Sequence, residues 1–242
     1  MNCHSENMHL GDAIWTLTAM SRLRGPHVLC CNPVYHEQLR ELVAGTDITI
    51  RDLSKIPVDS MDCWIASGLF ESQGIRYQDQ TDIMGFVQRY FNALGKEANL
   101  GDPFPTREDI LCSWPSIRDY AQTQPFTGIL VINADPKSGQ CPGYSSSEMD
   151  ALVERMYAAG HSVLAIEKAE LSLVQIGALS VHAKLIVGCA TGPWWPSLSK
   201  FNATTQRICM LHPMRLDYGS VPIVHAKNAA EVATIMEGMG FL

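Results

Sequence analysis

The sequence predicts an α/β protein built on parallel sheets, and three observations predict it. Short apolar runs of strand length alternate along the chain with segments of helical periodicity, which is typical of βαβ units. Glycine or proline follows several of the helical segments and ends them. Between about residues 96 and 126 the alternation weakens and proline and glycine recur, which indicates a connection between two halves. We therefore expect two domains, over residues 1–125 and 126–242.

The first half opens with a predicted helix. Ala13, Leu17 and Met20 recur at helical spacing, so residues 12–24 are expected to form a helix with one buried face that ends at Gly25. Further strands are predicted over 28–31, 48–50 and 63–66, and further helices over 33–44 and 82–94. In the connection, four large apolar side chains favour a folded segment over a flexible linker: Ile110, Leu111, Trp114 and Tyr120.

The second half shows clearer boundaries. Ser145 and Glu148 form an S-x-x-E capping box before a helix that ends at Gly160. One stripe of that helix is expected to be buried and carries Met149, Leu152, Val153, Met156 and Tyr157. The remaining predictions are strands over 129–133, 163–166, 185–187, 207–210 and 222–224, and helices over 172–180, from the 188–193 loop to about 203, and from about 227.

Composition and charge exclude several classes of protein. With 242 residues, 46% of them hydrophobic, and a net charge of −7, the chain is neither disordered nor broadly basic, which disfavours a large nucleic-acid surface. No apolar run approaches the roughly 20 residues of a membrane span, and the polar start is no signal peptide. The eight cysteines include no CxxC pair, which indicates reduced thiols, a cytoplasmic location and no metal site.

The segment from His9 to Asp12 is the first candidate for chemistry. Asp12 lies where a helix begins, so it either caps the helix and interacts with its dipole, or faces a cleft as a general base. In the second interpretation Gly11 lets a ligand approach the backbone closely, and His9 is a further catalytic candidate. Spacing alone leaves both interpretations open.

The loop from Gly188 to Trp195 is the second candidate. A strand that leads through a glycine-bounded loop into a helix start is suited to bind an anion, and Pro193 fits the first helical turn. Four backbone N–H groups would then be free to meet a diphosphate, those of Thr191, Gly192, Trp194 and Trp195. The alternative is an ordinary turn followed by two core tryptophans.

Together these segments resemble a known family. HLGDAIWTLTAMSRL resembles the N-terminal segment, and SLVQIGALSVHAKLIVGCATGPWWPSLS the C-terminal signature, of the heptosyltransferase-like glycosyltransferases of family 9 and its relatives. The resemblance implies the GT-B architecture, with two Rossmann-like domains facing a central cleft. It also implies inverting, metal-independent sugar transfer from a nucleotide diphosphate sugar to an acceptor hydroxyl, with no other cofactor.

The resemblance also implies roles for particular residues. Asp12 falls on the aspartate that activates the acceptor hydroxyl. Thr191, Gly192 and Pro193 fall on the turn that meets the donor phosphates, and Trp194, directly after it, could stack on the donor. Lys137 lies near a phosphate-binding lysine of the family, although the usual Lys-x-Trp-Pro is absent. Glu167 lies where the family places an acid near the ribose.

Three departures from the family pattern keep other functions open. Ala190 replaces an aspartate, Trp195 replaces a histidine, and residues 1–8 are polar where an apolar strand is usual. They favour the alternative of a degenerate GT-B domain that binds a nucleotide or a partner without catalysis. A nucleotide-sugar epimerase is less favoured. The acidic balance favours a small molecule or glycan as acceptor, while a modified nucleobase in DNA is a further alternative. The sequence predicts neither the donor sugar nor the oligomeric state.

Overall fold

A computed structural model describes residues 2–6, 9–55, 63–65, 82–97, 99, 101–136, 141–211 and 213–242. The strands in these ranges form two sheets, one in each half of the chain, and every pairing within both sheets is parallel. The expectation of an α/β protein on parallel sheets is therefore confirmed.

The first sheet has the strand order β3-β2-β1-β4. Its inner strand β1 was not predicted, because the sequence NCHSE contains no apolar run. The backbone nevertheless pairs on both sides, with Cys3 opposite Val28 of β2 and Cys63 of β4. The bounds are β1 Asn2–Glu6, β2 His27–Cys31, β3 Ile48–Asp52 and β4 Cys63–Ile65.

The second sheet has the order β6-β5-β7-β8-β9. All four residues of β5 and all five of β7 are buried, as expected for parallel strands that are covered on both faces. The bounds are β5 Ile129–Ile132, β6 Val163–Ala165, β7 Leu185–Cys189, β8 Gln206–Met210 and β9 Ile223–Ala226.

The α-helices in the described part of the chain are α1 Leu10–Met20, α2 His36–Leu42, α3 Ile83–Glu97, α4 Pro115–Ala121, α5 Ser146–Ala158, α6 Ile166–Ala169, α7 Leu173–Ser180 and α8 Ala229–Gly238. Short 3-10 helices lie at Pro33–Tyr35, Leu53–Lys55, Arg107–Ile110 and Gly192–Ser197. The last of these replaces the longer helix predicted after the 188–193 loop.

Helix α1 is buried all round rather than on one face. Every residue from Ala13 to Met20 is buried, because elements of the second half cover the side that the first sheet leaves free. The sequence pattern of α1 therefore predicted the helix but underestimated how much of it is enclosed.

Part of the prediction for helix α5 is confirmed. Met149, Leu152, Val153 and Met156 are buried, and the N–H of His161 donates to Met156 O across Gly160 at 3.1 Å, which closes the helix. Two details were wrong. Only the Ser145 half of the capping box forms, with Ser145 Oγ accepting from the N–H of Glu148 at 3.4 Å. Tyr157 is also 48% exposed, and its hydroxyl donates to Val163 O.

The connection between the halves is folded, as predicted. Ile110, Leu111 and Trp114 are buried, and helix α4 packs on α7 of the second half. The N–H of Cys112 donates to Leu198 O at 3.0 Å. A continuous core of buried apolar residues therefore joins the two sheets.

None of the six cysteines whose side chains the structure describes forms a disulfide. None of the helices in the described ranges combines the length and the apolar character that crossing a bilayer requires.

Candidate functional site

The two candidate loops meet in space. Helix α1 follows β1 at the carboxyl edge of the first sheet, and Gly192–Ser197 follows β7 at the carboxyl edge of the second. In each sheet the order in which strands are added reverses beside these strands. In the first sheet β2 and β3 lie on one side of β1 and β4 lies on the other. In the second sheet β6 lies on one side of β5, and β7 to β9 lie on the other. Ligands of open α/β sheets bind at such switch points. Topology therefore selects this junction as the candidate site.

Two glycines allow the close contact between the loops. A Cβ on Gly11 would lie 2.7 Å from Trp195 Nε1, and a Cβ on Gly192 would lie 2.9 Å from the side chain of Leu10. The expectation that Gly11 opens the backbone to a ligand is therefore corrected, because the indole of Trp195 occupies the space beside its Cα.

Trp15, which the sequence analysis did not single out, completes the contact from α1. Its ring meets that of Trp195 edge to face, with the ring centroids 4.4 Å apart. Trp15 Nε1 is buried and has no hydrogen-bond acceptor among the described residues. The start of α1 is thus lined by aromatic side chains that offer few hydrogen bonds to neighbouring polar groups.

Asp12 lies in the first turn of α1 and is partly buried. Burial raises the pKa of its carboxyl from 3.8 to about 6. Its side chain makes no hydrogen bond or ion pair within the described ranges, and His9 at the N-cap position makes no side-chain cap either. The capping interpretation of Asp12 therefore has no hydrogen bond to support it, and its role as a general base stays a prediction. His9 is exposed at the start of the helix.

The turn after β7 uses more of its backbone N–H groups in hydrogen bonds within the turn than predicted. The N–H of Thr191 donates to Cys189 O at 2.7 Å, and the N–H of Trp194 donates to Thr191 O at 2.9 Å. Two of the four N–H groups expected to meet a diphosphate are therefore used inside the protein. Gly192 and Pro193 are partly exposed at the start of the 3-10 helix.

Trp194 and Trp195 have different surroundings. Trp194 is 0% exposed, so its ring belongs to the core and cannot stack on a donor, which corrects that expectation. Trp195 is 6% exposed and faces the start of α1. Sequence reasoning named both residues but could not tell which of the two adjacent rings faces the other half.

Glu167 lies at the carboxyl end of β6, as predicted, and is exposed. Buried Asn133, which directly follows β5, joins it: the N–H of Glu167 donates to Asn133 Oδ1 at 3.1 Å, and Asn133 Nδ2 donates to Glu167 Oε2 at 3.4 Å. Since β5 lies between β6 and β7, the strands that lead to Glu167 and to the Thr191 turn run about 10 Å apart at ordinary strand spacing. Lys137 lies outside the described residues.

Asn133 was not singled out from the sequence. Tyr144 OH donates to Asn133 O at 2.5 Å. Asn133 therefore connects the loop after β5, through its carbonyl, to the start of α6, through its side chain. Its place directly after a buried strand was the available signal.

Comparisons with known proteins agree with the topology. No protein-family profile matches the sequence, and no curated protein sequence matches it significantly. Among solved structures, Escherichia coli heptosyltransferase WaaC with ADP superposes with a TM-score of 0.57 at 12% identity, covering 99% of this chain and 98% of that one. The same enzyme with ADP-2-deoxy-2-fluoro heptose gives 0.60 at 11% identity, covering 98% and 99%. The chain therefore has the GT-B fold of these heptosyltransferase structures.

Proposed function

We propose that this chain is a glycosyltransferase that moves a sugar from a nucleotide diphosphate sugar to an acceptor hydroxyl. The observation that carries the proposal is the position of Asp12, a partly buried carboxylate with a pKa of about 6, where the start of α1 meets the turn after β7. The fold adds support, since the superposed enzyme is a heptosyltransferase with bound ADP or an ADP-heptose analogue.

In this proposal Asp12 removes the proton of the acceptor hydroxyl as its oxygen attacks the anomeric carbon. A base with a pKa of about 6 is ionised at neutral pH and still basic enough to accept the proton as it is lost. The nucleotide diphosphate leaves from the opposite face of the sugar, so the anomeric configuration inverts.

The donor is proposed to lie along the carboxyl edge of the second sheet. Thr191, Gly192 and Pro193 would border its phosphates, Lys137 would neutralise their charge, and Glu167 would accept hydrogen bonds from the ribose hydroxyls. We propose that the transfer needs no metal and no other cofactor, so that an excess of chelator leaves the rate unchanged. The net charge of −7 favours a small molecule or a glycan as acceptor.

The first experiment is a thermal-shift screen of the purified chain against UDP, ADP, GDP, TDP and CMP and their sugars. A ligand at 100 times its Kd stabilises the folded state by about 2.7 kcal/mol. We expect one nucleotide to raise Tm, and Thr191→Val to reduce that rise. Release of the same nucleotide from its sugar is then measured over a panel of acceptors. No shift with any nucleotide contradicts the proposal.

A domain that binds a nucleotide without catalysis is the second candidate function. The internal hydrogen bonds of the Thr191 and Trp194 N–H groups favour it, because they leave fewer donors to stabilise a leaving diphosphate. This function predicts a thermal shift without nucleotide release, whichever acceptor is offered. If a modified nucleobase in DNA is the acceptor, release appears only in the DNA arm of the panel.

A further inference from the structure

Residues 215–217, which follow β8, form a strap between the two halves of the chain. Arg215 pairs in a parallel bridge with Asp82, directly before α3, and the N–H of Ile83 donates to Arg215 O at 3.2 Å. Arg107 in the connection forms ion pairs with Asp82, at 2.6 Å, and with the carboxylate at the end of the strap. The strap therefore fixes the second half to the start of α3.

The middle of the strap is held by His225 of β9. The N–H of Leu216 donates to His225 Nε2 at 2.9 Å. A backbone N–H can only donate, so Nε2 must be the unprotonated nitrogen and the imidazole must be neutral, with its proton on Nδ1. A proton on Nε2 would place two donors against each other. The N–H of Leu216, a buried residue, would then lose this acceptor.

The surroundings of His225 favour its neutral form. Burial, followed by the positive charge of Arg215, lowers the pKa of His225 from 6.5, and the negative charge of Asp217 opposes this shift. The residue opposite His225 in β8 is Cys209, a fully buried thiol whose pKa burial raises. Helix α8 also packs on β9, and its acid Glu231 accepts a hydrogen bond from the backbone N–H that directly follows β9, at 2.7 Å.

We infer that His225 makes the contact between the two halves respond to pH, with the neutral imidazole holding the strap on α3 and the protonated imidazole loosening it. The folded protein holds fewer protons at this ring than the unfolded chain does, so the strap weakens as pH falls below about 6.5. Because α3 belongs to the first half and β9 to the second, loosening the strap weakens one of the contacts that fix the halves relative to each other. This inference goes beyond the proposed function and does not depend on it.

Hydrogen exchange measures the strap directly, through the N–H groups of Leu216 and Ile83. We expect their protection factors, corrected for the intrinsic exchange rate at each pH, to fall on the order of tenfold between about pH 7.5 and pH 5. No loss at either N–H overturns the inference. A loss at Leu216 without a loss at Ile83 also overturns it, because the contact with α3 would then not depend on His225.

Two variants of His225 separate the ring's acceptor from its titration. His225→Gln keeps a side-chain acceptor of similar reach but does not titrate, so both N–H groups should be equally protected at the two pH values. His225→Phe removes the acceptor and should show the lowered protection already at neutral pH. A glutamine variant that responds to pH as strongly as the wild type assigns the effect to another group and contradicts the inference.

His161→Gln is the matched control. His161 Nε2 donates to Phe241 O at 2.7 Å, a hydrogen bond that a protonated imidazole retains. This variant should therefore leave the pH response of the strap as it is in the wild type. Loss of the response in His161→Gln would place the titrating group there instead and overturn the role of His225. The experiment requires no nucleotide sugar, so its failure and that of the proposed function are distinguishable.

Discussion

At the scale of single residues, burial of the Asp12 carboxyl lowers the free energy of unfolding at neutral pH and gives the carboxyl a raised pKa that suits a general base. Burial without a hydrogen-bond partner in the described ranges raises its pKa to about 6 in the folded protein, while the unfolded chain ionises near 3.9. Between these pH values the folded state holds more protons than the unfolded state. Stability therefore falls as pH rises through that interval and stays lower above it.

Asp12→Asn should consequently stabilise the fold at neutral pH. The raised pKa corresponds to about 2 kcal/mol, since each unit is worth about 1.4 kcal/mol and the side chain is partly exposed. Urea unfolding should show this gain at pH 7.5 and most of it lost near pH 3.5, where Asp12 is largely protonated in both states. Asp47→Asn, at an exposed position, serves as control. A variant less stable than the wild type at pH 7.5 would show that the carboxylate is stabilising.

The same substitution should nearly abolish transfer. Losing a general base costs typically 10²–10⁴-fold in rate, and Asp12→Asn should do so without changing the Kd for the nucleotide diphosphate. In the wild type, kcat/KM should fall about tenfold per pH unit below pH about 6, because protonated Asp12 cannot accept the hydroxyl proton. A rate that is flat down to pH 5 would exclude Asp12 as the base.

At the scale of secondary-structure elements, Arg207 in β8 holds the segment after the candidate turn. Its guanidinium is fully buried, and Nη2 donates to Ser197 O at 3.2 Å, Asn202 O at 3.0 Å and Asn202 Oδ1 at 2.7 Å. Burial lowers its pKa to about 10, so the side chain still carries its charge at neutral pH. This arrangement fixes the end of the 3-10 helix Gly192–Ser197.

Arg207→Met should destabilise the protein by about 2–4 kcal/mol, because carbonyl and amide oxygens lose their donors inside the core. Arg207→Lys should rescue little, since an ammonium cannot reproduce the guanidinium fork. Arg118→Met removes an exposed arginine of α4 and should change the free energy of unfolding by less than about 0.5 kcal/mol. Denaturant titration of the three variants checks this, and full rescue by lysine would refute the role of the fork.

The elements also show which structure could be read from sequence. Apolar strands such as β5 and β7, and the helix closed at Gly160, are predicted because local patterns and local burial agree. The strand β1 escaped prediction because backbone pairing on both sides, rather than side-chain pattern, places it. Likewise the contact of Trp195 with Gly11 joins residues far apart in the chain, and no local pattern reports such a contact.

At the scale of the whole molecule, the two halves are joined by more than their connecting chain. Gly177 of α7 packs directly on α4, since a Cβ there would lie 2.5 Å from Ile117 Cδ1. Arg107 in the connection forms ion pairs with Asp82 before α3 and with Asp217 after β8. Buried apolar residues from both sheets thus belong to one continuous core, and the boundary at residues 125 and 126 stays a prediction.

We therefore expect the halves to unfold together. Calorimetry of the full chain should give one transition, with equal calorimetric and van't Hoff enthalpies, and hydrogen exchange should report the same opening free energy for β2 and β7. Ile117→Ala, which removes a fully buried side chain between α4 and α7, should cost about 2–5 kcal/mol and lower both opening free energies equally. The change lies in the contact between the halves. An effect confined to one sheet, or a second calorimetric transition, would therefore mean that each half unfolds with its own free energy. In that case the junction at Asp12 can open while both halves stay folded.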